Sequence, residues 1–113
     1  MIDYQEQRYE KILMGFKDTK EFNLQEAILI AMCHYNLYRY SEGLLFIETA
    51  LQKYSESLDL LTIKACLLCE SGIDEKSDIK IIMAKDIFTT LLNMEKSYVN
   101  YYNLGNAWSA LFD

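Results

Sequence analysis

Not one of the 113 residues is proline and only four are glycine, and this constrains the fold more than any motif does. Average usage of about 5% and 7% would place roughly six prolines and eight glycines in such a chain. Those residues build tight turns, so a sandwich or barrel would lack its turn chemistry, and an all-α fold of a few long helices is what remains. Apolar residues make up 51% and charged residues 25%, which is enough to bury a core. The length suits one domain spanning residues 1–113 and is too short for two ordinary ones.

The net charge of −6 works against a nucleic-acid partner, because that affinity comes from clustered Lys and Arg displacing counterions. The eleven basic residues are scattered with no run of three, so no polybasic membrane contact is expected either. Residues 1–6 show neither a basic nor an apolar leader pattern, and no stretch approaches the ~18 apolar residues of a membrane span. A cytoplasmic protein is the expectation. Three cysteines without an export signal suit reduced thiols better than a disulfide framework.

Hydrophobic spacing predicts six helices. Tyr9, Ile12, Leu13 and Phe16 fall at i, i+3, i+4 and i+7 in the first, which ends near Asp18 and Thr19. A second runs from Leu24 to about Tyr38, with one stripe of Ala27, Ile30, Ala31, His34 and Leu37 and another of Ile28, Met32 and Tyr35. Two apolar stripes call for two neighbours, or a neighbour and a ligand. Ser41 is the expected N-cap of a third helix carrying Gly43, Ile47, Ala50, Leu51 and Tyr54. A fourth extends from Leu58 to Glu70, with Ser71 and Gly72 as its stop and residues 73–76 as a loop. The fifth reaches about Asn93, its face formed by Ala84, Ile87, Phe88, Leu91 and Leu92 and continued by Ile79, Ile82 and Met83, with Ile81 off it. The sixth follows Ser97.

Short connections between such helices favour antiparallel hairpins. Sliding the chain on itself aligns Ala31, Ala65 and Gly105, each a small residue amid bulky neighbours. A small side chain lets two helices cross closely, where a larger one would cost about 1–3 kcal/mol.

Tyr101-Tyr102-Asn103-Leu104-Gly105-Asn106-Ala107-Trp108 resembles the first helix of a tetratricopeptide repeat, in which an aromatic, Leu-Gly and a second aromatic stand at these spacings. Residues 24–57 resemble a whole repeat of about 34 residues: Ala31 at the small position, Arg39-Tyr40 at the turn, Gly43 at the alanine position and Ala50-Leu51 as the closing pair. Ser55 stands where such repeats often have proline. Residues 58–97 resemble a second repeat, with about seven residues inserted near 73–83 that are expected to lengthen its second helix. Residues 98–113 match only the first helix of a third, and residues 1–23 serve as an N-terminal packing helix. The resemblance implies a short right-handed α-solenoid. An array with an uncompleted repeat leaves an apolar end open, so the chain is expected to be part of a longer protein or to self-associate through Trp108, Leu111, Phe112, Ile79, Ile81 and Ile82.

The residues offer no catalytic constellation. Cys66 and Cys69 have the spacing of a redox pair or zinc half-site. Such a pair acts from the exposed start of a helix, however, and these lie late in one, among leucines. Cys33 and His34 are the only further soft ligands, and adjacent helical residues point about 100° apart, so they converge poorly on one ion. No Gly-rich phosphate loop or nucleophile motif is present. The expectation is a non-enzyme with no metal and no cofactor. His34, the sole histidine, reads as a structural inter-helix residue.

In the resembled family the first helices of successive repeats line a concave groove for an extended peptide or partner helix. Carried over, the resemblance implies a groove of Ile28, Met32, Tyr35 and Asn36, then Asp59, Thr62, Cys66, Cys69 and Glu70, then Tyr102, Asn103 and Asn106. The Lys and Arg that some members use to clamp a carboxylate are replaced here by Ile28, Met32, Val99 and Asn103. The groove suits a protein or peptide with apolar and basic character, unless the first helix folds back and fills it. A self-associating scaffold, or the sensor part of a regulator, are the alternatives.

Overall fold

The computed structural model describes residues 3–94 and 98–112, with the side chains of 98–102 and 112 outside that description. Among these residues there are six α-helices and no strand: α1 Tyr4–Gly15, α2 Leu24–Asn36, α3 Tyr40–Lys53, α4 Leu58–Glu75, α5 Asp78–Met94 and α6 Tyr98–Phe112. Several of the starts have a side-chain cap. The Asp3 carboxylate accepts from the Gln5 and Glu6 amides at 2.9 and 3.2 Å. Asn23 and Glu26 form a reciprocal capping box at 2.8 and 3.0 Å. The Ser57 hydroxyl accepts from the Leu60 amide at 3.2 Å.

Two boundaries and one helix face differ from the expectation. Ser41 lies inside α3, because Tyr38 takes a left-handed conformation (φ 60°) and turns the chain early, leaving Arg39 as an N-cap without a side-chain bond. Gly72 does not stop α4, which runs on to Glu75 and ends where Lys76 is left-handed (φ 55°, ψ 42°). The inserted residues therefore lengthen α4 as well as α5. Finally Ile81 is buried, while Ile79, Ile82 and Met83 face outward at 74, 42 and 45% exposure. The inward face of α5 is Ile81, Ala84, Phe88 and Leu91, a spacing of three, four and three that stays on one side of a helix.

Sequential helices pack on one another from α1 to α6, and α2 also touches α4, as α4 touches α6. Among the described residues α3 and α5 make no close backbone approach. Two apolar clusters result. One joins Ala27 and Ala31 of α2, Ile47 and Ala50 of α3, and Leu60 and Leu67 of α4. The other joins Ala65, Leu68 and Cys69 of α4, Ala84, Phe88 and Leu91 of α5, and Ala107 of α6. Helix α4 belongs to both, which is why its apolar residues run around more than one face. Fully burying a side chain such as Ile47, Leu60 or Phe88 contributes about 1.5–3 kcal/mol.

The α1 helix is held less deeply. None of its residues is fully buried. Its seat is the half-buried face of Tyr9, Ile12, Leu13 and Phe16, an ion pair from Glu10 to Arg39, and the edge-on stacking of Phe16 on Phe22 at 5.9 Å. A cleft of about 640 Å³ remains between it and the His34 side of α2 and α3. No described helix is long and apolar enough to cross a membrane.

Candidate partner-binding groove

The second stripe of α2 is the part of the expected groove that the fold leaves most open. Helix α1 packs on the opposite stripe, beside Ile30 and His34, so it does not fill the surface around Met32, which is 47% exposed. Ile28 and Tyr35 are half-buried beside it and rest on the first apolar cluster. The Asn36 amide donates to the Met32 carbonyl at 2.9 Å, which ties down the last turn of α2.

Tyr35 links α2 to α4. Its hydroxyl is pushed up to about 12, first by burial and then by the neighbouring Cys66, Glu70, Tyr40 and Cys69. The resemblance placed Cys66 and Glu70 on one surface with Tyr35, and here they lie close enough to act on its charge. Burial, followed by Cys69 and Glu70, pushes the Cys66 thiol up to about 11, and burial also raises Cys69 and Cys33. These thiols stay protonated near neutral pH, so the Cys66–Cys69 spacing carries no ready thiolate nucleophile. Among the described residues no group of three His, Cys, Asp or Glu side chains is placed to hold a metal ion.

Other members of the expected groove are distributed differently. Cys69 is buried in the second cluster and is not presented at the surface, because its spacing from Ala65 and Leu68 points it inward. Thr62 is half-buried and spends its hydroxyl on the Leu58 carbonyl at 2.8 Å, while Asp59 is exposed. Asn103 is half-buried, and Asn106 lines a separate cleft of about 490 Å³ with the α4–α5 turn. Tyr102 and Phe112 have side chains outside the described residues. Gly105 is exposed, with nothing within 4 Å of where a Cβ would stand, whereas Ala31 and Ala65, aligned with it in the sequence, are fully buried.

Two residues of this surface escape a reading of helix faces. Tyr40 stacks obliquely on Tyr35 at 6.0 Å and Tyr38 meets Tyr40 edge-on at 6.3 Å. Burial, then Glu70, Asp74 and Tyr38, raises the Tyr40 hydroxyl. Three tyrosines thus stand with two carboxylates at one end of the α2–α4 seam. The clue in the sequence was the density of tyrosine across residues 35–40, which falls on a turn and so has no helical period.

No protein-family model matches the chain, and neither a curated protein nor a solved structure matches it.

Proposed function

We propose that the chain is a non-catalytic protein-interaction module, a short array of helical hairpins resembling tetratricopeptide repeats. It holds an apolar, basic peptide or partner helix along the α2–α4 side. The observation that carries this reading is the exposed Met32 beside Tyr35, continued by Tyr40, Tyr38, Glu70 and Asp74. An apolar floor ending in tyrosine faces and carboxylates favours a segment that brings a Leu or Met anchor and a Lys or Arg. The contact of α2 with α4 and of α4 with α6, without a matching contact of α3 with α5, supports an array in which alternate helices share a surface.

The test is a peptide selection against the 113-residue chain, followed by calorimetry of the selected peptide on Met32→Lys and on Glu70→Lys. We expect each variant to keep its helical circular dichroism and to bind at least tenfold more weakly, with Glu70→Lys losing preference for basic peptides. Unchanged binding by both folded variants would remove the groove. A second reading, self-association, is favoured by the outward Ile79, Ile82 and Met83. Light scattering over a range of concentration distinguishes it, since an Ile79→Glu/Ile82→Glu variant would then turn a dimer into a monomer.

A further inference from the structure

The hairpin α2–α3 and the hairpin α4–α5 each enclose a cavity at the same place, between the start of the first helix and the end of the second. Five residues of each lining correspond. Ala27 of the first matches Leu61 of the second, 34 positions on, as Ala31 matches Ala65. Phe46, Thr49, Ala50 and Lys53 match Ile87, Thr90, Leu91 and Met94, each 41 positions on. In the second hairpin Leu61 and Leu91 fill the space and about 220 Å³ remains. In the first, two alanines stand in their place and the cavity is about 370 Å³, a size that accepts a small molecule.

The opening is also different in kind. Where the second hairpin has Met94, the first has Lys53, whose amine lies 3.4 Å from the Phe22 carbonyl and 5.3 Å from the centre of the Tyr54 ring. Lys20 stands at the same mouth, with Glu21 as the one carboxylate among the lining residues. The walls are Phe22 and Phe46, edge-on at 5.5 Å, and the Tyr54 hydroxyl fixes one wall by donating to the Phe22 carbonyl at 2.6 Å. Two ammonium groups thus rim an aromatic cavity on a chain of net charge −6.

From this we infer that the α2–α3 cavity is a binding site for a small carboxylic acid with an aromatic or branched apolar body. The body lies on Ala27 and Ala50 against the wall made by the paired phenylalanines, and the carboxylate meets Lys53 and Lys20. The site is independent of the groove reading.

The probes are 3-phenylpropionate and its neutral primary amide, titrated into the intact chain by ¹H–¹⁵N correlation spectra and calorimetry. We expect saturable binding of the acid in the roughly millimolar range or tighter, with shifts confined to residues around the cavity and at least fivefold weaker binding of the amide. Ala27→Leu, which installs the residue of the second hairpin, should weaken the acid at least tenfold with an equal or higher melting temperature. Lys53→Met, a surface change that leaves the cavity walls in place, should abolish the preference for acid over amide. Absence of saturable binding, shifts centred elsewhere, or equal affinity for acid and amide in the unaltered chain would each overturn the site, as would a folded Ala27→Leu that binds normally.

Discussion

Between the helices of α2–α3 stand Ala27, His34, Gly43 and Ala50, whereas the matching positions of α4–α5 hold Leu61, Leu68, Ala84 and Leu91. The first hairpin is built from 13 and 14 residues and the second from 18 and 17. The offset between matching residues grows from 34 in the first helices to 41 in the second ones, a difference of seven. Seven residues are about two turns at 3.6 per turn, and dividing them between α4 and α5 adds roughly a turn to each without rotating either face. One pattern of packing therefore supports a short, loosely filled hairpin and a long, well-filled one. The short one keeps the larger of the two matched cavities, the lone histidine and the open stripe, and the long one carries more of the core.

The sharpest way to break that comparison is at the glycines. In the long hairpin a Cβ on Gly72 would stand 2.7 Å from the Ile81 side chain and 3.1 Å from the Ser77 carbonyl oxygen. In the short one a Cβ on Gly43 would meet the His34 Cβ at 3.0 Å and the Leu67 methyls at 3.1 and 3.2 Å. Overpacking of this kind costs about 1–3 kcal/mol, and alanine in a helix interior recovers about 1 kcal/mol relative to glycine. We expect Gly72→Ala to be the more destabilising by at least ~1 kcal/mol in urea denaturation, with Gly43→Ala close to neutral, because the loose hairpin yields and the tight one does not. Equal losses would mean that the two are packed alike.

A smaller effect is expected at His34, whose counterpart is the buried Leu68. Its Nδ1 is buried without a hydrogen-bond partner among the described residues. Burial lowers its proton affinity, Glu42 opposes that and Arg39 adds to it. Above the ordinary value of 6.5 the imidazole is neutral in both folded and unfolded chains and adds no pH dependence. As pH falls below 6.5 the unfolded chain takes up the proton first, so stability declines until the lowered folded value is passed. His34→Leu should flatten this acid limb and add roughly 1 kcal/mol at pH 7 by removing an unsatisfied polar atom. The check is a set of urea midpoints between pH 4.5 and 8 for both chains, and parallel slopes would exclude His34 as the source.

The helices, their order and most of their inward faces were legible because each rests on a local period that a sequence displays directly. Ala31, Ala65, Ile47 and Phe88 are all buried as that period requires. What was illegible depends on a neighbour. Gly72 reads as a helix stop, yet it is a contact residue against Ile81, and nothing within α4 says which. Ile81 reads as off the face because Ile79, Ile82 and Met83 form a denser apolar set, and only the position of α4 decides between them. The candidate groove was legible as a set of faces on α2 and α4, while the tyrosines of the α2–α3 turn join it through a left-handed Tyr38. The cavity between α2 and α3 appears only when Ala27 and Ala50 are compared with Leu61 and Leu91 across two folded hairpins.

The smallest expected effect lies in the two turns themselves, which both reverse the chain through a non-glycine residue at positive φ, Tyr38 at 60° and Lys76 at 55°. An L-residue there costs about 1–2 kcal/mol, and glycine relieves that cost while giving back part of it as unfolded-chain entropy. At Lys76 the side chain is exposed and makes no ion pair among the described residues, since Lys80 is the lysine that meets Glu75 at 2.7 Å and Ser71 at 3.0 Å. Lys76→Gly should therefore stabilise the chain by up to ~1 kcal/mol. At Tyr38 the same change discards the edge-on contact with Tyr40, worth about 0.5–1.5 kcal/mol, so Tyr38→Gly should gain nothing or lose slightly. Thermal denaturation of the two variants side by side reads the difference directly. A gain at both turns would mean that the tyrosine contact adds little to the folded chain, and that the strained conformation of Tyr38 outweighs what its ring gives α3.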